Sequence, residues 1–225
     1  MTPPKVTKCF RWVTAKHTSQ HGDVKWVPGE WVKQSGELEL CENGLHACLN
    51  PLDGLNQVWG TEWWAAEARG TVLKGDDKFC ASEMRIVRRI PDALIRRFAL
   101  DCAEHVYPIW EKAYPKDSRV RTSLDATKAY LDDPSPEKEE KMIAAAGAAR
   151  AAWAARDAVG AAWAARAAGA ARDAWAAEGA AWAAGAAWAA GAAEGAAWAA
   201  WAAEEKWQKQ HLKQLIEKAL KEASP

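Results

Sequence analysis

Several things are missing from this 225-residue chain, and each absence closes a class of function. Excess charge of either sign is absent: Lys+Arg and Asp+Glu number 30 each. Without a net positive field, duplex nucleic acid and anionic membrane surfaces are poor partners, because both are held by unbalanced Lys and Arg. The N-terminal half has no apolar run near the ~18 residues of a membrane span. Met1 to Lys5 is followed by no apolar stretch of the signal-peptide kind. The Ala-rich C-terminal half is apolar by count, but Arg, Asp and Glu interrupt it. The expectation is therefore a soluble, cytoplasmic chain. The five cysteines, Cys9, Cys41, Cys48, Cys80 and Cys102, are odd in number and irregular in spacing, unlike a secreted disulfide framework. No Gly-rich phosphate loop, Ser-His-Asp set or His-Glu-x-x-His element occurs, and no cofactor is expected. Tyr and Phe are scarce, three each, against 15 Trp.

The residues that are present divide the chain. Up to about residue 90, short runs with β-branched or alternating character (Lys8–Val13, Lys25–Val32, Glu37–Cys41, Glu67–Leu73, Glu83–Arg88) are punctuated by Gly and Asp and predict a small β-rich domain. Pro51 to Trp59 reads as a short helix with Asn50 as its cap. From Pro91, Leu94, Phe98, Cys102 and Val106 recur every four residues and define one apolar helix face, which Pro108 and Pro115 limit or kink. A second helix is predicted over Ser118 to Leu131. Asp132 to Pro136 is a linker, and Glu137 opens a further helix. The predicted architecture is α+β: residues 1–90 β-rich, 91–133 a helical connector, and 137–223 an all-helical Ala/Trp bundle.

The repeat itself is an Ala-Ala-x triplet from Ala144 onward, with x as Trp, Arg, Gly or Glu. Ala favours helix strongly. Three residues turn a helix by roughly 300°, so successive x positions wind around it instead of forming a stripe. One straight helix from Glu137 to Glu222 would be on the order of 130 Å long at about 1.5 Å per residue and would leave indoles exposed on every side. Shorter helices, broken near Gly, are expected instead. Glu204 to Glu222, with Trp207, Leu212, Leu215 and Leu220, reads as an amphipathic closing helix.

Two stretches resemble known families. Cys41-Glu42-Asn43-Gly44-Leu45-His46-Ala47-Cys48-Leu49-Asn50-Pro51-Leu52-Asp53 is similar to the signature of a small domain common in phage and prophage proteins, a likeness that extends through Ala65–Gly70 and Asp76–Ile86. That family brings no activity with it. Phe98 to Val106, Tyr114 to Arg121, the Ala-rich repeat and Glu205 to Gln208 together resemble the helical, Ala-rich proteins assigned as immunity proteins of bacterial polymorphic toxin systems. This chain departs from their pattern in taking Trp where Tyr is commoner. The resemblance implies a non-enzymatic binding protein of bacterial or phage conflict, whose partner would be a toxin, a host defence protein or a small nucleotide signal. An enzyme built around His46, resembling small NAD-type transferases, is the alternative, as is a structural module that drives homo-oligomer formation.

Candidate sites follow from residue chemistry. Arg150, Trp153, Arg156, Trp163, Arg166, Arg172 and Trp175 set guanidinium groups beside indoles, a combination suited to phosphate and a base. Their plainer role is ion pairing with Asp157, Asp173 and Glu178. Cys41, His46, Cys48 and Cys80 are a conceivable soft-metal set, although the spacing fits no recognised zinc motif and no metal is expected. Glu104 and His105, beside Cys102, offer an acid–base pair or simply the polar flank of a helix.

Overall fold

The computed structural model describes residues 5–20, 23–56, 62–154 and 194–222. The chain divides into two compact units, one of Met1–Asp92 with Leu212–Pro225, the other of Ala93–His211. The fold is α+β, with an antiparallel sheet before Arg89 and helices after it.

In the first unit the strands are β1 (Thr7–Val13), β2 (Val32–Lys33), β3 (Leu45–Ala47), β4 (Glu62–Lys74) and β5 (Phe79–Arg89), with helix α1 at Pro51–Asn56. β1 pairs with β4, β4 with β5, and both β2 and β3 with β5. One residue beyond β3, Cys48 exchanges two backbone hydrogen bonds with Phe10 of β1, at 2.9 and 3.0 Å. The circuit β1–β4–β5–β3 is thereby closed around an apolar interior of Cys9, Val13, Trp26, Leu45, Ala66, Phe79 and Ile86. Curvature comes from irregularities in the β4–β5 ladder at Ala65/Ala66 and Arg69/Val72, since an unpaired residue bends and twists a strand. Gly70 sits at the second with φ +79, and a Cβ there would collide with the Ser82 hydroxyl.

The strands differ from expectation in an instructive way. Of Lys25–Val32 only Val32 is in a strand; Pro28 and Gly29 break the run, and Gly29 (φ +87) donates its N–H to Ile86 O at 2.8 Å. Glu37–Cys41 forms a turn with a single bridge between Glu39 and Asn43. The strand falls instead on Leu45–Ala47, whose three residues are too few to show alternation. The cap on α1 is as expected, Leu52 N–H donating to Asn50 Oδ1 at 2.9 Å.

In the second unit α2 (Asp92–Ala113) runs through Pro108 and stops before Pro115. Pro108 removes one backbone donor, but the fully buried Val106 and Trp110 anchor the helix on both sides of it. α3 (Arg119–Asp132) and α4 (Pro136–Ala154) pack together. Their buried faces are Val120, Ser123, Leu124 and Thr127 on α3, and Met142, Ala145, Ala146 and Ala149 on α4. Pro136 takes the first helical position, and Ser135 Oγ caps the helix by accepting from Lys138 N–H at 3.3 Å. α5 (Glu194–Glu222) buries Glu204, Gln208, Leu212 and Ile216, spaced every four residues. No helix among the described residues is long and apolar enough to cross a membrane.

Candidate functional site

Two places gather chemistry. In the helical unit, Asp101 and His105 lie one turn apart on α2, and Glu204, Trp207, Gln208 and His211 share one side of α5 by spacings of three and four. The indole of Trp207 lies between two imidazoles. The His105 ring is 3.9 Å away and nearly parallel at 3°, and the His211 ring is 4.7 Å away at 12°. Each imidazole is held by a carboxylate, His105 Nδ1 by Glu204 Oε2 and His211 Nε2 by Asp101 Oδ2, both at 2.6 Å. Gln208 Nε2 donates to the other Glu204 oxygen at 2.8 Å, and Arg97 Nε donates to Asp101 at 3.0 Å. Glu204 is buried, with its side chain 3% exposed, whereas His105 is 43% exposed. The ladder is thus fixed from inside and presents an aromatic edge to water. Burial, with Glu204 and Asp101 nearby, drives the Cys102 thiol well above its ordinary range, so it is an inert core residue.

In the first unit a cavity of about 650 Å³ is lined by Phe10, Arg11, Trp12, Gln34, His46 and Lys78, among others. Strand alternation puts Arg11 between Cys9 and Val13 on the inward face of β1. Its Nη1 donates to His46 O, its Nη2 donates to Ser19 Oγ at 2.7 Å, and the guanidinium carbon stands 4.5 Å from the centre of the Trp26 ring. Nε is buried without a partner among the described residues. Burial pulls the Arg11 pKa down to about 10. His46 accepts the Cys41 N–H on Nε2 at 2.9 Å, which steadies Cys41 at φ +72. Burial first, and Arg11 second, hold the His46 pKa below its ordinary 6.5. Gly44 has no substitute in this turn: at φ +137 a Cβ would lie 2.8 Å from Cys80 Cβ.

The residues singled out by sequence fare differently. His46 faces Cys80 across the β3–β5 pair, Cys48 pairs through its backbone with Phe10, and Cys41 is exposed. Among the described residues no group of three or more His, Cys, Asp or Glu is placed to hold a metal ion. Burial raises the Cys48 thiol to about 12. Glu104 and His105 do not pair with each other: Glu104 accepts from Arg121 at 3.0 Å and His105 bonds Glu204. Arg156, Trp163, Arg166, Arg172 and Trp175 lie outside the described residues, as do the side chains of Arg150 and Trp153, and with them the expected breaks in the repeat. Sequence reasoning passed over Arg11, although a guanidinium on the inward phase of a strand is a readable anomaly. It also passed over the histidine–tryptophan ladder, which needs two distant helices to meet.

With this geometry in hand, comparison with known families gives two matches. Residues 7–95 match a domain of unknown function, DUF7666. Residues 87–215 match a helical family that accounts for more than half of the chain. No curated protein matches. No solved structure matches. The chain therefore belongs to the family described as "Imm-5 like putative immunity protein".

Proposed function

We propose that the chain neutralises a cognate protein toxin by binding it through the helical unit, making and breaking no covalent bond. The family match over residues 87–215 carries this reading, because an immunity family implies a toxin to be bound. It also favours a toxin over a host defence protein as the partner. The Trp207 ladder supplies a suitable contact. Aromatic anchors dominate binding energies at protein interfaces, and a ring already clamped between two carboxylate-held imidazoles loses little freedom on binding. The other unit supports binding rather than catalysis as well, since the Nε2 lone pair of His46 is already engaged by the Cys41 N–H.

Co-expression tests the proposal. The full chain is produced in cells carrying the toxin gene that neighbours its own, and survival and co-purification are scored. Rescue with a stable complex is the expected result. Trp207→Ala, with helicity by circular dichroism unchanged, is expected to weaken the complex by about 2 kcal/mol, roughly 30-fold in Kd. Cells that die equally fast with and without the chain would overturn the reading.

A further inference from the structure

We propose that the cavity beside Arg11 is a binding site for a small phosphate-bearing molecule of nucleotide size, with Arg11 and Lys78 as its counter-charges. Two half-buried arginines on the opposite phase from the buried residues of β4 and β5 show the usual arrangement in this unit. Arg69 is paired with Glu83 at 2.7 Å and Arg85 with Glu67 at 2.6 Å, and both guanidinium groups lie over Trp31. Arg11 is built differently. Its neighbours are a carbonyl, a hydroxyl and an indole face, and among the described residues no carboxylate pairs with it. Arg11 is half-buried with its Nε wholly out of water, and a guanidinium desolvated even in part is unfavourable without a counter-ion, which an anion in the cavity would supply.

The cavity supplies the rest of the chemistry. Lys78 is a second cation in the lining, half-buried and also without a carboxylate partner among the described residues. Arg11, Lys78 and His46 line the same cavity. The carboxylate of the lining, Glu42, is exposed. Two cations suit a phosphate dianion better than a monovalent carboxylate, and Arg keeps further N–H groups for it after donating to His46 O and Ser19. Phe10 and Trp12 bring ring surface to the same lining, and about 650 Å³ exceeds what a bare phosphate needs while fitting a mononucleotide. The site lies in residues that the immunity-family match does not reach, so it goes beyond toxin binding and stands or falls separately from it.

The test uses the full chain, with thermal unfolding and titration calorimetry at fixed ionic strength. The probes are the four common nucleoside 5′-monophosphates, inorganic phosphate, the corresponding nucleosides and acetate. At least one monophosphate is expected to raise the unfolding temperature and to bind at least about tenfold tighter than inorganic phosphate, while nucleosides and acetate do nothing. Arg11→Met and Lys78→Met should each weaken that binding by roughly tenfold or more. Lys78→Met serves if Arg11→Met fails to fold. The proposal is overturned if no monophosphate binds, if inorganic phosphate binds as tightly as the nucleotides, or if binding survives in the folded variants.

Discussion

At the scale of single residues, His46 shows how a side chain can be conspicuous in sequence for one reason and placed in the fold for another. In the Gly44-Leu45-His46 motif it invites a catalytic or metal-binding role, yet its ring fastens a turn through the Cys41 N–H and its carbonyl receives Arg11. The sequence made His46 visible because it stands between Cys41 and Cys48 in a Cys-x4-His-x-Cys spacing. Its hydrogen bonds were hidden because they depend on Cys41 adopting φ +72, which no residue type announces. A pH dependence follows from its environment. With the folded pKa held below 6.5 by burial and by Arg11, the unfolded chain binds the extra proton first as pH falls. Stability is therefore lost on acidification through the interval below 6.5 and is fully present above it. His46→Gln, whose amide oxygen can still accept from Cys41, should show a shallower loss of stability from pH 7 to about pH 5 than the parent chain in urea titrations. Equal slopes for both proteins would refute this account.

At the scale of elements, apolar spacing located α2, the Pro-rich linker and the acids after it located the start of α4, and the short strands were mislaid. The reason is physical: a helix of 22 residues such as α2 repeats its apolar face many times, whereas β3 has three residues and β2 two. In α5 the helix was legible but its inner face was not. Trp207, Leu212, Leu215 and Leu220 read as the apolar side, yet the buried line is Glu204, Gln208, Leu212 and Ile216. Two polar residues belong to that line because each finds a partner: Glu204 has His105 and Gln208, and Gln208 has Glu204. Hydrophobic reading cannot anticipate a buried polar pair whose second helix is about a hundred residues away. The corrected face makes a directional prediction. Leu212→Ala, at a fully buried position, should cost about 2–4 kcal/mol in denaturant unfolding. Leu215→Ala, at a half-buried one, should cost about 1 kcal/mol or less. Equal costs would show that the helix is turned differently.

At the scale of the whole molecule, the α+β division and the change of character near residue 90 were legible because strand-forming runs end and four-residue apolar spacing begins there. The return of the chain to the first unit at Leu212 was not, since nothing in an amphipathic helix states which unit it completes. The thiols offer a readout of both units at once. Cys41 is exposed, whereas Cys9, Cys48, Cys80 and Cys102 are buried. Burial pushes Cys9 and Cys48 up to about 12, leaving thiolate fractions on the order of 10⁻⁴ at pH 8. Brief iodoacetamide treatment of the native chain at that pH is expected to label Cys41 alone by peptide mass spectrometry. With rising urea, Cys102 should report the helical unit separately from Cys9, Cys48 and Cys80 in the first unit. Native labelling of Cys9 as fast as Cys41 would contradict the closed strand circuit. The late return at Leu212 also has a bearing on biosynthesis. Arg88 near the end of β5 donates to Leu220 O at 3.1 Å, so a bond made by β5 waits on a residue translated long after that strand. While the ribosome is still adding the alanine repeat, the sheet has emerged without its final tie. A nascent chain released before Leu220 is made would carry every strand of the described residues and still lack this bond.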